Sequence, residues 1–267
     1  AAGETVWVAG SIGPSGAEGA RILGPGAVHV REGFRRQMDA LVAGGADILL
    51  IETFTHLAEM QLALGVAREA HPDLPLVATM RFEPNQKLLD GSEPETVAEA
   101  LADWGADVVG ANCGEGPELV FHVSRRMLGE GRLVIAQPNA GSPESIDGRS
   151  VYVGNPEFFG VYGKRMLKTG IRAVGGCCGT TPSHIHSMRG AVRMMGGAQG
   201  ALRVTHDVMV RDGSEATERG TRPVPEERSE FARRMAAGKF VVSVEVNPPL
   251  GLDPSACIEA ARALKAA

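Results

Sequence analysis

The sequence predicts an α/β protein in which short apolar strands alternate with amphipathic helices, the pattern of a parallel (β/α) barrel. Three observations carry this. Six β-branched runs recur along the chain, most of them continuously apolar, as parallel strands covered on both faces are. Amphipathic stretches lie between them, at about 25 to 40 residues per strand–helix unit. The joints are rich in glycine, and no G-x-G-x-x-G follows a strand, which leaves a dinucleotide-binding sheet with little support.

Taken in order, strands are expected at Val6–Ala9, Ile48–Glu52, Leu76–Met80, Val108–Asn112, Leu133–Gln137 and Ile171–Gly175. Helices are expected from Val30 to Val42, His56 to Ala70, Thr96 to Trp104 and Pro156 to Leu167. Gly44-Gly45-Ala46-Asp47 and Gly105-Ala106-Asp107 each close a helix, with glycine as a left-handed cap, and lead into a strand. Thr181-Pro182-Ser183 reads as an N-cap followed by proline at the first helical position. A closed barrel of this kind has eight strands, so the first two βα units are expected to be missing from residues 1–200. Residues 201–238 are charged and punctuated by proline, and read as a linker with a short helix around Glu227–Ala236. A new strand, Phe240–Val246, and a helix start at Asp253-Pro254 are expected to open a second domain over 239–267.

Composition narrows the function. Apolar residues make up 43% and charged residues 22%, enough for a substantial core. A net charge of -5 gives no reason to expect nucleic acid or an anionic membrane as partner. No apolar run approaches the roughly 18 residues of a membrane helix, and no basic-then-apolar leader is visible at the N-terminus. Four cysteines are too few for a disulfide scaffold. Two of them are adjacent, which points to a reducing, cytoplasmic compartment and a chemical role.

In a barrel, reactive groups sit on the loops after the strands. Cys113 ends the fourth visible strand, Asn139 follows the fifth, and Cys177 and Cys178 follow the sixth. Parallel strands would bring Cys113 and the vicinal pair to one rim. Zinc prefers soft thiolates in a tetrahedron, and three thiolates leave one corner open for a substrate thiol, which loses its proton on binding. The residues alone leave other readings open. Cys113 could be a small core hydrophobe, Cys177 and Cys178 a redox pair, and the whole a zinc-binding fragment without turnover. A closed structural site has little support, because no C-x-x-C pair is present and Cys257 lies in the C-terminal segment. His184 and His186, just inside a helix, read as surface residues.

The stretches GANCGEGPE, QPNAG and GGCCGTTPSHI, with VAGSIGPSG at 8–16 and LLIETFTHLAE at 49–59, resemble the homocysteine S-methyltransferase family over roughly residues 5 to 197. The resemblance implies a (β/α)8 barrel, zinc held by Cys113, Cys177 and Cys178, and homocysteine plus a small-molecule methyl donor as partners. It further implies that Glu52 binds the substrate ammonium group, a sensible task for a rim carboxylate, and that Asn139 lies at the metal. Read without the family, Glu52 is an acid near a helix start and Asn139 a turn residue. Two departures stand out: the family's first two strands, with an Asp-Gly-rich loop, are missing, and Thr53 stands where some members carry tyrosine. Residues 239–249 resemble the opening strand of methylenetetrahydrofolate reductase, with Glu245 where that family has an acid near the flavin. The implied FAD would belong to a part of that domain outside this sequence, so no flavin binding is expected of this chain.

Overall fold

The structure is a computed structural model; it describes residues 6–17, 24, 26–146, 149–196 and 242–246, with isolated positions at 233, 234, 237, 255 and 259. Strands β1 (Val6–Ile12), β2 (Ile48–Phe54), β3 (Leu76–Met80), β4 (Val108–Cys113), β5 (Leu133–Pro138) and β8 (Ala173–Val174) answer the six expected runs. Helices α1 (Ala27–Ala43), α2 (Leu57–Ala70), α3 (Pro94–Asp103), α4 (Pro117–Arg126), α5 (Pro156–Lys168) and α6 (Pro182–Gly196) alternate with them. An antiparallel hairpin, β6 (Pro143–Ile146) with β7 (Arg149–Tyr152), follows β5.

The sheet is parallel throughout, in the order β8-β5-β4-β3-β2-β1 and then β9 (Val242–Val246). This is a curled half-barrel. The strand expected to open a second domain, β9, pairs with β1, from Val6 opposite Val242 to Gly10 opposite Val246. An unpaired edge offers a row of free backbone groups, and a β-branched strand satisfies them. Most of the expected linker 201–238, its helix at 227–236 and the helix start at 253–254 lie outside the described residues.

Strand bounds shift where backbone pairing outlasts the apolar run. β2 continues past Glu52 through a bulge, so that Phe54 pairs with Met80. β8 is shorter than expected, although Arg172 N–H to Val134 O and Gly175 N–H to Ala136 O extend its hydrogen bonding.

The two Gly-Ala-Asp joints act alike. Gly45 and Gly105 take φ of 96° and 104°, conformations that carry little cost for glycine. The N–H groups of Ala46 and Ala106 then return to Leu41 O and Leu101 O, closing α1 and α3. The aspartate that follows clamps the neighbouring strand. Asp47 N–H donates to Val8 O while its carboxylate accepts from Val8 N–H, and Asp107 makes the same pair of bonds with Leu76.

Both faces of the sheet are apolar, as a helix-covered parallel sheet requires. Leu49, Ile51, Leu76 and Ala78 pack outward against Met60, Ala63 and Leu64 of α2. On the inner face Trp7, Ala9, Ile48, Leu50, Val77, Val108 and Ile135 form a cluster of strand residues. Further along the same face by the twofold alternation, two residues on in four strands and four residues on in β4, stand Ser11, Glu52, Thr79, Asn112 and Gln137, all of them buried. The inner face therefore ends in a polar layer at the C-terminal ends of the strands.

Candidate metal centre and substrate site

The three cysteines meet at this layer. The Sγ atoms of Cys113, Cys177 and Cys178 all lie within 4.8 Å of one another. Among the described residues they are the group of His, Cys, Asp or Glu side chains placed to hold a metal ion. Cys177 and Cys178 are free thiols with their sulfurs 3.8 Å apart, close to the separation of about 3.8 Å that tetrahedral bonds of 2.3 Å require. Three soft donors at this spacing fit zinc, and a fourth position is left to a ligand.

Local backbone geometry delivers the sulfurs. Cys113 closes β4 with φ at 65°, a left-handed conformation that is rare for a side-chain-bearing residue and marks functional sites. The vicinal pair sits on a tight turn in which both N–H and Oγ1 of Thr180 donate to Cys177 O. Gly179 completes that turn at φ 75°, where a Cβ would lie 2.3 Å from Cβ of Tyr152. Backbone bonds bind this loop to the end of β5: Cys177 N–H donates to Pro138 O and Ala140 N–H to Cys178 O.

Asn139 lies between the two cysteine loops. Its Oδ1 accepts from Cys178 N–H at 3.0 Å, and its Nδ2 donates to Gly114 O at 2.7 Å. It is a buried brace, with its amide oxygen engaged by the backbone.

The thiols divide their protons unequally. A hydrogen bond from Cys177, helped by Gly114 N–H and Asn139, pulls Cys113 down to about 5. Cys177 is correspondingly raised, because its proton is shared with the Cys113 sulfur. Cys178 is raised by burial and by the charge on Cys113. Tyr152, at the end of β7, is raised by burial and then by its hydrogen bond with Cys178.

Glu52 stands on the same face of the sheet, 5% exposed. Ser11 Oγ donates to its Oε1 at 2.6 Å, and Asn112 Nδ2 lies 3.4 Å from its Oε2. The next residue, Thr53, has φ at 67°, strained for a β-branched side chain, and sits at the bulge in β2.

Five residues of this site escaped the sequence: Ser11, Thr79, Asn112, Gln137 and Tyr152. For the first four a signal existed, since each is the polar residue that breaks the inner-face alternation at a strand end. For Tyr152 the signal was Asp147-Gly148, a dipeptide favoured in two-residue hairpins. The histidines need one correction. His186 is exposed as expected, but His184 is 5% exposed. Its ring bonds Thr181 Oγ1 and Gly154 O and packs edge-on against Phe159, because α6 turns its first buried face onto α5.

A parallel half-barrel that gathers three thiols and a buried carboxylate at the C-terminal ends of its strands defines the class: an α/β barrel protein with a candidate thiolate metal site. Residues 1–192 match the model of the family described as Homocysteine S-methyltransferase, and the chain belongs to that family. It is 29% identical over 195 residues to a methionine synthase of Mycobacterium tuberculosis, covering 70% of this chain and 16% of that one. It is 30% identical over 181 residues to betaine–homocysteine S-methyltransferase 1 of Xenopus tropicalis, covering 60% and 44%. Among solved structures, the metallated form of the homocysteine methyltransferase MmuM from Escherichia coli superposes with a TM-score of 0.53 at 25% identity, over 69% of this chain and 60% of that one. The chain thus spans less than half the length of these two curated relatives. Among the described residues no helix is long and apolar enough to cross a membrane.

Proposed function

We propose that this chain carries the methyl-acceptor site of a zinc-dependent homocysteine S-methyltransferase, with Cys113, Cys177 and Cys178 as the metal ligands. The observation that carries the reading is the convergence of these three sulfurs within 4.8 Å beside the buried Glu52. Zinc, when bound there, lowers the pKa of a substrate thiol at its open position and keeps the sulfur nucleophilic. Glu52, held by Ser11, takes the substrate ammonium as a charge-assisted partner. Gln137 adds support for a polar ligand at this layer, because its buried Oε1 has no hydrogen-bond partner. Asn139 holds the two cysteine loops in register.

The acceptor sulfur gains the new S–C bond, the donor's bond to its methyl group breaks, and the thiol proton leaves to solvent. In-line attack requires the donor to enter from the mouth of the half-barrel. A sulfonium donor such as S-methylmethionine or S-adenosylmethionine departs as a neutral thioether, and it is compared with betaine and methylcobalamin in the test below. The motif at 239–249 supports a fusion to a methylenetetrahydrofolate reductase domain, with flavin confined to that domain.

The test is zinc content together with methionine formation from homocysteine, using each donor in turn. The expected result is one zinc per chain and activity with a sulfonium donor. A chain without zinc that forms a Cys177–Cys178 disulfide, and whose thiol titration is unaffected by Cys113→Ser, would establish the vicinal redox reading instead.

A further inference from the structure

We propose that Asn112 is a positioning residue that ties the carboxylate of Glu52 to the sulfur of Cys177 through a single amide group; this rests on the zinc and homocysteine reading of the site. Asn112 is 1% exposed and ends the inner face of β4, beside Cys113. Its Oδ1 accepts two hydrogen bonds, from Thr53 N–H at 3.0 Å and Thr79 Oγ1 at 2.9 Å. The Thr53 N–H is a donor that cannot reverse its role, so the orientation of the amide is settled and Nδ2 must point the other way.

Nδ2 meets three acceptors. Thr53 Oγ1 lies at 2.7 Å, Glu52 Oε2 at 3.4 Å and Cys177 Sγ at 3.7 Å. Two hydrogens serve these three atoms. The first goes to Thr53, and the second lies between the carboxylate and the sulfur. Ionised acceptors bind such a hydrogen about twice as strongly as neutral ones, so the Glu52 carboxylate, and the Cys177 sulfur once a metal has displaced its proton, are both oriented by it. The same amide offsets the strain at Thr53, whose φ of 67° is fixed through its N–H and its hydroxyl together. One side chain therefore sets the bulge that aims Glu52 and donates to a sulfur of the thiol cluster.

Asn112→Asp keeps an acceptor for Thr53 and Thr79 and removes the donor, but adds a negative charge beside Glu52, so it is read together with Thr79→Val, which adds none. Zinc affinity of the full chain is measured by chelator competition, the thiolate-to-metal charge-transfer band with cobalt in place of zinc, and KM and kcat for homocysteine. The expected result is a loss of about 10- to 100-fold in zinc affinity, the cost typical of groups that orient metal ligands, with a shifted cobalt band and a KM raised at least tenfold. Thr79→Val loosens one anchor of the amide and is expected to show the same changes at about three- to tenfold; it serves if the aspartate variant does not fold. An Asn112→Asp protein, or failing that a Thr79→Val protein, that melts earlier yet keeps zinc affinity, cobalt band and KM within threefold of the unaltered chain overturns the inference alone. An unaltered chain that holds no zinc overturns the site reading and the inference with it.

Discussion

The amide oxygen of Asn139 accepts the backbone N–H of Cys178 at 3.0 Å, while its nitrogen holds Gly114 O, next to Cys113. Asn139 thus braces two cysteine loops that are 64 residues apart in sequence (177 − 113). Asn139→Ala leaves a part-buried N–H and a part-buried carbonyl without this partner, a cost of up to about 1 kcal/mol each. It also frees the loops to drift. The expected outcome is zinc affinity reduced about 10- to 100-fold, read by chelator competition; affinity within threefold of the unaltered chain would show that the loops hold themselves.

Glu52 separates substrate binding from metal binding. Glu52→Gln keeps the volume and an acceptor for Ser11 but removes the charge. Hydrogen bonds to charged groups contribute about 1.5–3 kcal/mol, which converts to a homocysteine KM raised about 10- to 100-fold. Zinc content should stay at one per chain, since Glu52 is not among the clustered ligands. Loss of zinc with an unchanged KM would move Glu52 from the substrate to the metal.

Proton release on metal loading follows from the unequal thiols. At pH 7 Cys113, lowered to about 5, is already a thiolate, whereas Cys177 and Cys178, both raised, keep their protons. Zinc needs three thiolates, so loading at pH 7 should release about two protons from the protein. Affinity therefore rises with pH by about 100-fold per unit, and below about pH 5 the third proton steepens the dependence. Calorimetry in buffers of different ionisation heat counts these protons directly. A count of three at pH 7 would mean that Cys113 has an ordinary thiol pKa.

How much of this was legible in the sequence depends on the range of the interaction. The Gly-Ala-Asp joints could be read because a helix cap is local, although the clamp of each aspartate on a neighbouring strand could not. The three cysteines could be read because parallel strands carry their ends to one rim whatever the detailed register. The polar layer was present at the ends of β1 to β5, yet Ser11, Thr79 and Asn112 become meaningful only when adjacent strands align them. The left-handed conformation of Thr53 left no trace in the sequence, since the partner of its N–H is Asn112, 59 residues further along. The pairing of β9 with β1 is long-range as well, and local sequence does not report it.

The opposite end of the sheet should govern stability and leave the chemistry alone. Asp107 precedes β4 at the N-terminal ends of the strands, with its side chain 3% exposed. Its Oδ2 accepts Arg68 Nη2 at 2.6 Å and Leu76 N–H at 2.8 Å. Arg68 also spans to Gly105 O and Leu74 O, so one ion pair joins α2, the end of α3 and the start of β3. Asp107→Ala takes the carboxylate from the largely buried Arg68 and leaves the Leu76 N–H without its side-chain acceptor. Breaking such a pair from one side costs about 3–5 kcal/mol, a large part of the stability of a domain, so a fall in thermal midpoint of more than ten degrees is expected, on the order of the usual shift per kcal/mol. In barrels the reactive groups belong to the C-terminal rim and the N-terminal rim serves stability. Zinc affinity and homocysteine KM of the folded variant, measured well below its melting temperature, should therefore remain within about twofold of the unaltered chain. A variant that melts normally but binds zinc poorly would mean that the two rims are coupled through β4, the strand that carries Asp107 before its first residue and Cys113 at its last.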